Sequence, residues 1–262
     1  MRSDEPPLLD LQRVTVVRGE RAVLEDLSLR IAQGEHVAIL GPNGCGKSTL
    51  IKTITRELYP LADGAASVRI MGRDRWDVFE LRRHLGIVSN DLMASSTKRI
   101  SGRDVVLSGF FSSVGVWPNH RVTDEMRALA DQALARLEVG HLAGTYVTQM
   151  SSGEARRTLL ARALVHDPEA LLLDEPSTSL DLAAQHELTD AMRGLAQSGV
   201  GILLVTHHLA DVIPEIDRVI LLRHGRIVAD GSKEEVLTAE RLSHLFDRRV
   251  DLVRRDGYYH AW

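Results

Sequence analysis

The sequence predicts an α/β fold with a mostly parallel central sheet, an N-terminal antiparallel β subdomain and an inserted helical subdomain. Three observations predict it. Short apolar segments of strand length alternate with helical patterns, as in folds whose helices cover a parallel sheet. The first two strand candidates are joined by only a short polar turn, which suits antiparallel pairing. The stretch from about residue 90 to 165 offers no central strand and repeats apolar residues at helical spacing instead.

Residues 14–17 and 27–31 are the opening strands, around the polar turn 18–21. Residues 37–40 form a buried strand that runs into a glycine-rich turn, and 50–57 continue as a helix. Residues 68–71 and 86–88 are further strands. In the inserted stretch Met126, Leu129, Ala133, Leu134 and Leu137 recur at helical spacing. Residues 155–165 make another helix, and 171–173, 202–205 and 219–222 resume the strands. The expected organisation is one domain over 1–262, with its core at about 1–89 and 166–262 and the helical subdomain at about 90–165. No internal repeat or low-complexity segment interrupts it.

Composition narrows the class. A chain of 262 residues can bury a substantial core. Hydrophobic residues at 44% and charged residues at 26% exclude collagen-like, mostly disordered and disulfide-rich classes. As the single cysteine, Cys45 cannot form a disulfide within the chain, which suits a reducing compartment. A net charge of -4 gives nucleic acid no basic face, so no nucleic-acid partner is expected. No apolar run approaches the ~20 residues of a membrane helix. The start, MRSDEPPLLD, lacks a secretory apolar segment, and the expected location is cytoplasmic. Of 32 basic residues only Lys47, Lys52, Lys98 and Lys233 are lysines, so a lysine at a mechanistic position stands out.

One such position is inside the glycine-rich turn. Gly41, Pro42, Asn43, Gly44, Cys45, Gly46, Lys47 and Ser48 satisfy G-x4-G-K-[ST], with Thr49 following. The glycines let successive backbone N–H groups curl around phosphate oxygens. The helix that follows adds a favourable dipole. Lys47 can reach the β- and γ-phosphates, and Ser48 can ligate Mg²⁺. The turn lies after a strand and before a helix, as the motif requires. A nucleotide with Mg²⁺ is the expected occupant, and the core is expected to be a P-loop NTPase.

A second buried strand ends in Asp174, Glu175 and Pro176. Alone, such an ending also fits an ordinary solvated loop start. Beside the phosphate motif, Asp174 is a candidate to hold Mg²⁺ through water. Glu175 is placed to accept a proton from water attacking the γ-phosphate.

These motifs and three others together resemble the ATP-binding cassette (ABC) ATPases. Met150, Ser151, Ser152, Gly153 and Glu154 resemble the family's LSGGQ signature. Ser179, Leu180 and Asp181 are similar to its D-loop, and Thr206 and His207 to its switch histidine. The order is that of the family, and the resemblance runs from about residue 11 to 232. It implies that two nucleotide-binding domains meet head to tail, as a homodimer or with a related cassette. Ser151, Ser152, Gly153 and Glu154 of one then complete the ATP site of the other. It also implies that His207 contacts the γ-phosphate and that Asp181 acts across the dimer. Read from the residues alone, Ser151-x-x-Glu154 is equally a helix-capping box, and His207 an ordinary surface histidine.

The sequence departs from the family at two positions. The aromatic that stacks on adenine is replaced by Val17 and Arg18. Arg18 either stacks its guanidinium on the base or is simply solvated. Asn90 stands where the family has a glutamine, so the Mg²⁺ contact there is either kept by the shorter amide or lost. Cys45 within the cradle is either a small filler or a thiolate favoured by the phosphate site. The second alternative predicts that a bulky thiol reagent blocks ATP binding.

The chain carries no membrane span, so a transport role implies separate membrane-spanning permease subunits. Residues 104–117 hold Phe110, Phe111 and Trp117, three of the eleven aromatics. They form either a docking groove for such a partner or the core of the helical subdomain. With residues 251–262 they most resemble ATPases of metal-chelate and molybdate-type importers. The expected function is therefore ATP hydrolysis that powers solute import, from the cytoplasmic face of the membrane. The alternative is a soluble ABC ATPase acting in regulation, repair or translation.

Overall fold

The computed structural model describes residues 5–62, 64, 66–89 and 99–262. In chain order it contains β1 (Leu9–Arg18), β2 (Arg21–Ile31), β3 (Val37–Leu40), α1 (Lys47–Ile54), β4 (Ser67–Ile70), α2 (Val78–His84) and β5 (Leu85–Val88). Then follow α3 (Gly102–Leu107), α4 (Asp124–Arg136), α5 (Ser152–Leu164), β6 (Ala170–Asp174), α6 (Leu182–Gln197) and β7 (Gly201–Thr206). The chain closes with β8 (Arg218–Arg223), β9 (Arg226–Ser232), α7 (Lys233–Val236), α8 (Ala239–Phe246), β10 (Leu252–Arg255) and β11 (Tyr258–Ala261). They fall into two units: Met1–Leu81 with Gly201–Trp262, and Arg82–Val200.

The first unit holds two larger sheets. In one, β1 lies between β2 and β4 and pairs antiparallel with both. Leu9, Leu11, Val14 and Val16 of β1 turn inward, while Gln12, Arg13, Val17 and Arg18 are exposed. The register slips between Leu11 and Val14, where Arg13 takes a left-handed φ of 48° and donates its N–H to Ser28 Oγ at 2.9 Å. That is a β-bulge, and it restores the inward phase of Val14. The expected antiparallel opening is present, with both strands longer than the apolar pattern alone suggests.

In the other sheet β3 pairs parallel with β7 on one side and β8 on the other, and β9 closes the edge antiparallel to β8. All four residues of β3 and all six of β7 are buried. That explains their continuous apolar runs, since both faces of a parallel strand are covered. β3 has the bounds expected from the sequence. β10 and β11 form a separate antiparallel hairpin.

The second unit contains the parallel pair β5 and β6 with helices α3 to α6. Among its described residues, no strand lies between β5 and β6, as the sequence predicts for that stretch. α4 buries Ala130, Ala133 and Leu134, Leu137 just beyond it is buried too and Met126 half-buried, so of the expected apolar residues Leu129 alone is exposed. α3 buries Val105, Val106 and Leu107. Phe110 and Phe111 are half-buried against His166 and His120, and Trp117 is 48% exposed. The segment 104–117 thus serves partly as core and partly as surface. No helix among the described residues is long and apolar enough to cross a membrane.

Candidate nucleotide site

Each unit carries part of the predicted chemistry. In the first, β3 and β7 end side by side, with Leu40 in register with Thr206. The chain leaves β3 at Gly41, whose N–H bonds Thr206 O at 3.4 Å. A side chain at Gly41 would place Cβ 2.3 Å from Leu222 O, so only glycine fits. Gly44 and Gly46 take left-handed φ of 78° and 113°, which favours glycine at both. Gly46 is the N-cap of α1 and makes no side-chain cap hydrogen bond. The helix start therefore brings no side-chain acceptor of its own to the turn. The helix starts at Lys47, three residues earlier than the apolar pattern implies, and ends by Thr55 because Arg56 is left-handed at φ 63°.

Lys47 is 5% exposed, and its ammonium donates to Gly41 O at 2.8 Å and Pro42 O at 3.2 Å. It is held over the turn it serves. Asn43, Gly44 and Ser48 are exposed, and Thr49 is buried. Cys45 is buried at 4%, and its Sγ lies 2.6 Å from where a Gly41 Cβ would be. Its carbonyl accepts from Gly225 N–H at 2.8 Å. The filler alternative for Cys45 is the one the packing favours. Burial at 4% leaves a bulky thiol reagent little access to the sulfur.

His207 follows β7 directly. Thr206 is fully buried, its hydroxyl donates to Asp211, and it accepts from His208 N–H at 3.0 Å. The Thr206–Asp211 pair therefore braces the turn that carries His207. Sequence reading missed this brace; a Thr at a strand end five residues before an Asp was its only signal. Arg18 is exposed beside the hairpin turn, opposite Arg21.

In the second unit Asp174 and Glu175 end β6, both half-buried. Glu175 adopts a left-handed φ of 47°, a strained conformation of the kind found at functional sites. Asp181 caps α6 by accepting from Ala184 N–H at 2.8 Å. Ser151 is the N-cap of α5 in a full capping box: its hydroxyl accepts from Glu154 N–H at 3.2 Å, and Glu154 accepts from Ser151 N–H at 2.8 Å. Those bonds, the backbone one foremost, hold the Glu154 carboxyl below its ordinary range. The box also starts the helix at Ser152, before the expected Ala155.

Gly153 is buried against α6, where a Cβ would meet that of Ala184 at 2.8 Å. Arg156, one turn of α5 further on, is 2% exposed and donates to Thr178 O at 3.4 Å. It ties the signature helix to the loop that follows Glu175. Sequence reading missed Arg156, which looks like any surface charge on a helix. Asn90 lies outside the described residues.

Comparison with known proteins identifies the family. Residues 24–178 match the family model described as ABC transporter. The hemin import ATP-binding protein HmuV of Hahella chejuensis is 35% identical over 246 residues, covering 90% of this chain and 92% of that protein. The cobalt import ATP-binding protein CbiO of Rhodobacter capsulatus is 35% identical over 240 residues, covering 88% and 81%. The structure of cbiO1 from Clostridium perfringens, part of the ABC transporter complex cbiONQ, superposes with a TM-score of 0.76 at 27% identity, covering 92% and 94%. The chain belongs to the ABC transporter family and is one of its ATPase cassettes.

Proposed function

We propose that this cassette hydrolyses ATP to drive import of a metal-bearing or metal-chelate solute through separate membrane-spanning subunits, working from the cytoplasmic face. The glycine-shaped turn into α1 carries the reading, because left-handed Gly44 and Gly46 let the backbone curl around a triphosphate and Lys47 is held over that turn. The import names of the hemin and cobalt relatives support the direction and the solute class.

In this reading Gly41, Pro42, Asn43, Gly44, Cys45 and Gly46 supply the backbone cradle. Lys47 and Thr49 add contacts to the phosphates. The donors offered for Mg²⁺ are the exposed Ser48 hydroxyl, the Asp174 carboxylate and, by its position in the sequence, Asn90. Hard oxygen donors suit Mg²⁺. Among the described residues no three His, Cys, Asp or Glu cluster as a metal cage. That fits an ion that takes its remaining oxygens from water and substrate phosphates. When bound, Mg²⁺ neutralises charge on the β- and γ-phosphates.

Glu175 accepts the proton of the attacking water, and His207 orients that water against the γ-phosphate. Arg18 lies at the adenine end. The signature residues Ser151, Ser152, Gly153 and Glu154, with Asp181, serve the ATP held by a second cassette. Glu175→Gln should lower turnover by about 10²- to 10⁴-fold, while ATP binding persists. Gel filtration with ATP should then show an accumulated dimer. Unchanged turnover in that variant removes Glu175 from the mechanism.

A further inference from the structure

The first unit contains a cavity of about 460 Å³ against the turn that carries His207. Apart from His207, none of its lining belongs to a nucleotide motif. One wall is the turn after β7, with His208 and Leu209. The lining also includes Phe246 at the end of α8, Arg248 and Arg249 just after it, and Tyr259 and His260 of β11. The volume is that of a small-molecule site.

Its side chains contribute two guanidinium groups and three imidazoles and no carboxylate. Asp251 is near in sequence, but it meets Arg249 at 3.4 Å with Arg249 87% exposed. Such a solvated pair leaves the guanidinium available. Asp247 is held by Arg223 instead. Arginine forks suit carboxylate, sulfonate and phosphate groups. Half-buried Phe246 supplies flat apolar surface, and the Tyr259 ring, 4% exposed, backs the wall.

The walls are held in place. β11 packs on the turn Leu209–Asp211. The hairpin is closed at its base by Asp251 N–H to Trp262 O at 3.1 Å and Trp262 N–H to Asp251 O at 3.2 Å. The cavity is also linked to His207. The His207 and His208 rings lie 3.8 Å apart, tilted by 40°. A ligand that touches His208 therefore bears on His207.

We propose that this pocket binds a small organic anion with a planar apolar body, and that its occupancy sets the ATP turnover rate through the His208–His207 pair. The coupling rests on the ATPase reading above; the binding does not. The probe is 8-anilinonaphthalene-1-sulfonate, titrated into the full chain with Mg-ADP saturating the phosphate loop. One equivalent should bind. Arg248→Glu with Arg249→Glu should weaken it by about tenfold or more, with ADP affinity unchanged. His260→Glu, at another exposed position, should weaken it as well.

Saturating probe should change kcat by about twofold or more in the native chain and leave the double variant unaffected. Equal probe affinity in the native chain and both variants overturns the site. Binding lost in the variants, with kcat of the native chain insensitive to the probe, overturns the coupling. A chain that binds the probe as expected but never hydrolyses ATP upholds the site, overturns the coupling and refutes the ATPase reading.

Discussion

α1 and α5 both begin at turns of small residues, but their first backbone donors have different partners. At α1 the N-cap is Gly46, left-handed and without a side-chain cap. At α5 the Ser151 hydroxyl and the Glu154 carboxylate already satisfy each other's backbone N–H. The first end is an open anion site, with Lys47 folded over it. The second is a closed helix cap that presents two exposed serines. Phosphate at α1 meets a prepared cradle; phosphate at α5 meets hydroxyls beside a carboxylate. In the proposed mechanism this difference is why one chain holds ATP through α1 alone, and why the signature end serves a nucleotide already held by a second chain.

Removing the open site's own charge should break the comparison most severely. Lys47→Ala loses charge-assisted bonds of about 1.5–3 kcal/mol. ATP affinity should fall roughly 10- to 100-fold, as read by titration with a fluorescent nucleotide. A smaller change would mean that the backbone cradle suffices.

Next comes the shape of the turn. Gly41→Ala would push a methyl into Leu222 O and the Cys45 sulfur. It should cost about 1–3 kcal/mol of stability in denaturant unfolding. An unshifted midpoint would show that the turn is more yielding than its packing suggests.

The smallest expected effect is at the closed end. Ser151→Ala should cost about 1 kcal/mol and leave the nucleotide affinity of a single chain unchanged. This cap also has a pH signature. The Glu154 carboxyl sits below its ordinary value of 4.5 in the fold. Its contribution is therefore complete above that value and disappears as pH falls through the lower folded one. Thermal unfolding of the native chain and of Ser151→Ala should converge in acid.

Legibility in the sequence followed how local each determinant is. The strand–turn–helix of β3, Gly41 to Ser48 and α1 was readable because glycine freedom and apolar burial act within a few residues. The capping box was readable from Ser151 and Glu154 for the same reason. The starts of α1 and α5 were placed late, because a pattern of apolar residues begins only where a helix meets the core. Arg156 and the Thr206–Asp211 brace were invisible, since their partners lie on other segments. The β10–β11 hairpin was missed although Asp256-Gly257 is a turn signal, because its strands have little buried face. The need for glycine at 41 likewise depends on a distant strand, through the Leu222 carbonyl.

The central claim is that the open end of one chain and the closed end of another make one working site. Complementation tests it most directly. Lys47→Ala keeps a sound signature, and Ser151→Arg keeps a sound phosphate loop. Each variant alone should hydrolyse ATP negligibly, and an equal mixture should regain steady-state turnover through the one intact composite site of the mixed dimer. A mixture no more active than its parts, under conditions where mixed dimers are shown to form, contradicts the account.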